Sequence, residues 1–163
     1  MSTQRILNLI AIVCLTAVGF ALFSQYVLDM QPCAWCVFQR LIFLVIAGIC
    51  LLANLFRSGF LQKLFAFTTF ALSVGGVLSA WYQYSVAANM FSCDMTFADQ
   101  FMAKWTGLDG MMPWLFGIYS SCMDAKVDLL GIEYALWALG LFVVIAVVAL
   151  IALFKHEPRE IFS

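Results

Sequence analysis

Four stretches of this chain carry no charged residue; three are more than 20 residues long, and the fourth, of 16, reaches a spanning length with the uncharged residues just before Arg40. They lie between Arg5 and Asp29, Arg40 and Arg57, Lys63 and Asp94, and Glu133 and Lys155. A hydrocarbon core about 30 Å thick takes roughly 20 apolar residues as a helix. Only helices and closed barrels satisfy their own backbone in that medium. The runs predict helical spans over about 6–28, 37–56, 64–84 and 134–154.

Composition agrees with that reading. Of 163 residues, 65% are hydrophobic and 10% charged, against roughly 45–50% and about 25% in soluble domains. One small aqueous core cannot absorb so much apolar surface. The expected fold is an all-α membrane protein, a four-transmembrane-helix bundle forming one domain over 1–163. The first run exceeds the apolar region of a signal peptide, about 7–15 residues, and no clear A-x-A site follows it. It is therefore expected to remain as a helix. A formal net charge of −1 argues against a nucleic-acid partner.

Four spans put both ends of the chain on one side. Arg5, Arg57, Lys63, Lys155 and Arg159 flank the spans there, while Arg40, Lys104 and Lys126 fall on the other side. The positive-inside rule makes the first side cytoplasmic. Two loops then face outward, a short one over 29–36 and a long one over about 85–133. The middle of the long loop, 105–119, is too apolar for a solvated linker. It should either lie along the headgroup layer or pack against the helix ends.

Six cysteines sort by depth. Cys14 and Cys50 fall mid-span, where a thiol behaves as a small buried hydrophobe. Cys33, Cys36, Cys93 and Cys122 all map to the outward loops. In a bacterial cell that face is the periplasm, where disulfides persist. The arrangement suits two disulfides or one relay of four thiols. Cys93 and Cys122 could be a structural staple worth roughly 3–4 kcal/mol, but beside a C-x-x-C on the same face a redox pair is the stronger reading. Structural zinc sites use two short-spaced pairs; here there is one, and His156 lies in the opposite tail. No metal is expected.

Cys33-Ala34-Trp35-Cys36 is the C-x-x-C motif. Pro32 breaks the chain just before it, and Cys36 stands at the start of the second helix. Unpaired N–H groups and the macrodipole favour a thiolate there. Arg40 lies one turn on, on the same helical face. An arginine within a span costs roughly 2.5–3.5 kcal/mol at the helix centre and less toward the end. It must snorkel to the headgroups or bind a polar group at the membrane surface. A thiolate and an arginine at that depth suit a quinone, whose carbonyls accept hydrogen bonds while its tail stays in lipid.

These residues resemble the disulfide bond formation protein B family, DsbB. The resemblance rests on Gln25, on Gln31-Pro32-Cys33-Ala34-Trp35-Cys36-Val37-Phe38-Gln39-Arg40, and on Ser121-Cys122 with Leu129-Leu130-Gly131-Ile132-Glu133 before the last apolar run. It covers nearly the whole chain, with the third helix and the tails matching in character only. It implies an inner-membrane, quinone-dependent thiol oxidase that reoxidises a DsbA-like periplasmic partner and reduces ubiquinone or menaquinone. It further implies that Cys93 forms the mixed disulfide with the partner, Cys122 relays to Cys33, and Cys36 reacts with the quinone near Arg40. The chain has Gln39 where some relatives carry an acid, and Tyr82-Gln83-Tyr84 with no histidine at the end of the third helix. No proton-handling role carries over to those positions. A vitamin K epoxide reductase-like enzyme would place its C-x-x-C late in the chain. A merely stapled bundle has no use for an arginine one turn from Cys36.

Overall fold

The computed structural model describes residues 2–56, 58–87, 96–121 and 128–155. Its long helices are α1 (Thr3–Val27), α2 (Ala34–Leu52, continued by a 3-10 turn Ala53–Leu55) and α3 (Gly59–Ser85). Three single-turn helices follow, α4 (Phe97–Gln100), α5 (Leu108–Met111) and α6 (Pro113–Phe116), with a π-helical segment Phe101–Thr106 between the first two. A two-residue hairpin, β1 (Asp128–Leu129) and β2 (Ile132–Glu133), leads into α7 (Tyr134–Phe154). α1, α2 with its 3-10 turn, α3 and α7 are each long and apolar enough to cross a membrane.

The first three spanning helices start earlier than the apolar runs, while α7 starts at Tyr134 as expected. α1 begins at Thr3, where the Ser2 hydroxyl caps it by accepting from the Arg5 N–H, and α3 begins at Gly59 after Ser58. α2 begins at Ala34, so Cys36 lies inside the first turn and not in the loop. The physical reason is simple. Hydropathy reports the thickness of the hydrocarbon, while backbone hydrogen bonding carries a helix on into the interfacial layer.

The connections run up and down. At one end, Gln62 Nε2 of α3 donates to Gln4 Oε1 of α1 at 3.1 Å, and Gln4 Nε2 donates to Asn54 Oδ1 after α2 at 2.5 Å. The other end carries Cys33, Cys36 and the single-turn helices. Between them lies a core of Leu7, Cys14, Ile46, Cys50 and Phe142, all 0% exposed. Cys50 also meets the Thr69 hydroxyl at 3.4 Å. Phe67, Leu78, Val147 and Ile151 point away from this core, as the lipid face of a membrane bundle requires.

The seams between helices differ. α1 packs on α2, α2 on α3, and α7 closely on α3, whereas α7 meets α1 more sparsely. On the close seam the Phe142 ring stacks on Phe43 with centroids 4.1 Å apart. The same ring lies against Gly76, where an added Cβ would overlap it. Small residues let helix backbones approach in lipid, where packing rather than a hydrophobic force drives association.

Of the two arrangements expected for the apolar stretch of the long connection, the structure shows packing against the helix ends. Met102 and Phe116 are buried against Val37 of α2, and Leu115 packs on the main core. Trp105 and Met111 stay exposed, 82% and 77%.

Candidate active site

The first turn of α2 is held from two directions. Cys33 is its N-cap in extended backbone, and its carbonyl accepts from the Val37 N–H at 3.0 Å. The preceding turn uses Asp29 at φ +52°, a left-handed conformation that aspartate tolerates better than most residues. Chain from the long connection folds over it. The Tyr119 N–H donates to Pro32 O at 3.2 Å, and the Ser120 hydroxyl donates to Gln31 O at 2.9 Å. The Tyr26 hydroxyl donates to Trp114 O at 2.6 Å, fixing α6 to the end of α1.

Within this frame Cys33 Sγ and Cys36 Sγ lie 3.2 Å apart. That separation is contact, well beyond an S–S bond of about 2.05 Å. Cys33 is 0% exposed and sits among Ala34, Trp35, Ala87 and Ala98. Cys36 is half-buried and opens on a cavity. From α3, Gln83 Nε2 donates to Cys36 Sγ at 3.2 Å and lies 3.7 Å from Cys33 Sγ. Gln83 Oε1 in turn accepts from Gln39 Nε2 at 2.8 Å.

Arg40 does not snorkel. It is 5% exposed, and its Nη1 donates to Gln25 Oε1 at 2.6 Å and to Leu115 O at 3.3 Å, while Nη2 donates to Ala21 O at 3.2 Å. These acceptors are neutral, so they fix the guanidinium without cancelling its charge. Gln25 and Leu115 thereby tie α1 and α6 to α2.

A cavity of about 830 Å³ fills the sparse seam between α1 and α7, with α2 as its floor. Its polar end is formed by Cys36, Gln39, Arg40 and Tyr134, and its walls by apolar residues such as Ile12, Phe20, Leu141 and Val144. At 1.5 Å per residue, the lining from Ile12 to Ala21 of α1 extends about 14 Å along the helix. A smaller cleft bounded by Met30, Gln31 and Pro32 reaches Cys36 and Arg40 from the loop side.

Three residues singled out in the sequence, Cys33, Cys36 and Arg40, thus share one end of the bundle. Cys93 and Cys122 lie outside the described residues. Among the described residues no group of three or more His, Cys, Asp or Glu side chains comes together. The sequence reading missed Gln83 and Gln39 as partners and Tyr134 as a lining residue. Their only signal was polarity at the ends of apolar runs.

Fold and site together define a four-span membrane protein that keeps a cysteine pair beside a buried cation at the mouth of an apolar cavity. A family model described as "Disulfide bond formation protein DsbB" matches residues 3–152. The chain belongs to this family and is a disulfide-forming oxidoreductase. It is 31% identical over 157 residues to "Disulfide bond formation protein B" of Ralstonia nicotianae, covering 93% of this chain and 94% of that one. A protein of the same name from Burkholderia pseudomallei is 31% identical over 162 residues, covering 96% of this chain and 92% of that one. "Disulfide bond formation protein B 1" of Pseudomonas putida is 28% identical over 157 residues, with 96% and 93% covered.

Proposed function

We propose that this protein is a quinone-linked thiol oxidase of the bacterial inner membrane, a single domain with cytoplasmic termini and periplasmic cysteine pairs. It reoxidises a DsbA-like dithiol partner and passes the electrons to ubiquinone or menaquinone. The observation that carries this reading is the cavity: lipid-facing walls that end on Cys36, Gln39, Arg40 and Tyr134. Small-molecule sites run about 300–1,000 Å³, mostly apolar with a few placed polar groups. The residues fit a quinone by that measure, with Arg40 and Tyr134 able to donate to its ring oxygens and the α1–α7 seam able to take its tail. When bound, the quinone supplies the acceptor for the two electrons and two protons released as Cys33 and Cys36 close to a disulfide.

The four cysteines act in order. A partner thiolate attacks Cys93 of a Cys93–Cys122 disulfide and releases Cys122. Cys122 then attacks Cys33 of a Cys33–Cys36 disulfide and releases Cys36 as a thiolate. The partner's second thiolate displaces Cys93, and Cys93 displaces Cys33 from Cys122, so the partner leaves oxidised and Cys33 and Cys36 are left as the dithiol. Each exchange breaks one S–S bond and forms one. Burial of Cys33 supports this order, because a soluble protein cannot reach a sulfur that is 0% exposed. Two further observations support it. Ser120, two positions before Cys122, bonds to Gln31, two positions before Cys33. Ala87 and Ala98, which flank the stretch containing Cys93, pack in the same cluster as Cys33 and Trp35.

Purified protein supplied with a soluble quinone and a reduced periplasmic dithiol partner should consume the quinone absorbance. Cys36→Ser should abolish that turnover, and normal turnover in this variant would overturn the reading. Cys122→Ser should trap a mixed disulfide with the partner that disappears when Cys93 is also replaced.

A further inference from the structure

The groups that surround the Cys36 sulfur come from several helices. Cys33 and Arg40 stand on its own helix, with Tyr134 of α7 at the same end of the cavity. Tyr26 of α1 bonds to α6 beside Leu115, a partner of Arg40. From α3 the group that reaches the sulfur is the side-chain amide of Gln83. Gln83 is 6% exposed and Gln39 4% exposed, so neither amide is placed by chance at a wet surface.

An amide has a donor end and an acceptor end. Gln39 donates to Gln83 Oε1 at 2.8 Å, which occupies the acceptor end and turns the N–H₂ of Gln83 toward the sulfurs. The reverse orientation of both amides would aim the Gln83 carbonyl at Cys36, an arrangement only a protonated thiol could tolerate. The orientation in the structure presents a donor, which a thiolate accepts more strongly than a thiol does.

We propose that Gln39 and Gln83 form an amide relay across the α2–α3 interface that donates a hydrogen bond to Cys36 Sγ and holds it as the leaving thiolate. Gln83 touches the reacting atom; Gln39 is a positioning residue that acts through it. The role assigned to Cys36 rests on the proposed function, but the relay itself is readable on the thiol alone. Because amides do not ionise across the working range, the relay stays in one charge state while Cys36 titrates. Hydrogen bonds to charged groups are stronger than neutral ones, so loss of this donor should be visible in reactivity.

The experiment is the pH profile of Cys36 alkylation by iodoacetamide in the fully reduced full-length protein, read by peptide mass mapping. Gln83→Leu should move the profile to higher pH and slow alkylation at neutral pH about tenfold. Gln39→Leu should act in the same direction by about threefold. Gln39→Glu keeps the volume and, when ionised, only accepts hydrogen bonds, so it draws the Gln83 N–H₂ away from the sulfur. It should match Gln83→Leu or exceed it, and it carries the test if Gln83→Leu does not fold. A merely structural role predicts faster alkylation in the loosened variants. Unmoved or accelerated profiles in folded Gln83→Leu and Gln39→Glu proteins would overturn the relay. Retained quinone turnover in Cys36→Ser would instead sink the functional reading and leave the relay standing.

Discussion

Along α3, the last helix is packed until nothing more fits; along α1, the same helix stands off and leaves a cavity. On the α3 side Phe142 lies hard against Gly76, and its ring also stacks on Phe43 of α2. On the α1 side Leu141 and Val144, neighbours of Phe142 in sequence, line open volume. One strongly apolar helix therefore makes two kinds of seam, and the difference is set by the residues opposite it. A tight seam fixes the bundle. The open one leaves room for an apolar ligand beside Cys36. In lipid an empty seam between helices costs packing rather than exposure to water, so a binding crevice can be kept there without a polar lining.

Closing or loosening either seam should have separable consequences. Gly76→Val drives a branched side chain into a ring that is already stacked on Phe43. It should cost about 3 kcal/mol of stability, the upper part of the range for overpacked cores, measured by unfolding in mild detergent. A variant as stable as the parent would show that the seam yields. Ala17→Phe fills the other seam from α1. It should leave stability within about 0.5 kcal/mol while raising the apparent quinone KM about thirtyfold, roughly 2 kcal/mol of lost binding. Equal effects of the two substitutions on stability would erase the distinction between the seams. Arg40→Ala should weaken apparent quinone affinity about tenfold, roughly 1.4 kcal/mol, with partner binding less affected; an unchanged quinone KM would remove Arg40 from the site. Far from both, Gln62→Leu breaks the amide pair at the opposite end. Interhelical hydrogen bonds in membranes average about 0.6 kcal/mol, so a small loss of stability and unaltered thiol chemistry are expected.

Much of this was legible because it is local. Cys33, Cys36 and Arg40 are three and four residues apart on one helix, and helical geometry alone puts them together. Charge-free runs likewise mark helices that must cross lipid. What could not be read is which face each helix turns to its neighbours. Gln83 is forty-seven positions from Cys36, and nothing in an apolar run says that this amide faces that sulfur. The openness of the α1–α7 seam depends on several small residues acting together, Ala17, Ala138 and Gly140 among them. For the connecting segment 105–119, headgroup contact and packing on the helix ends looked like alternatives. The structure uses Phe116 for one and leaves Trp105 available for the other.

The central claim is that electrons leave Cys36 into the α1–α7 cavity. Photolabelling with an azido-quinone in native-like vesicles, followed by peptide mapping, tests it most directly. The account predicts adducts within 12–21 of α1 and 134–144 of α7, suppressed by excess quinone and by Ala17→Phe. Saturable adducts confined to α3, with those two segments unlabelled, would contradict it.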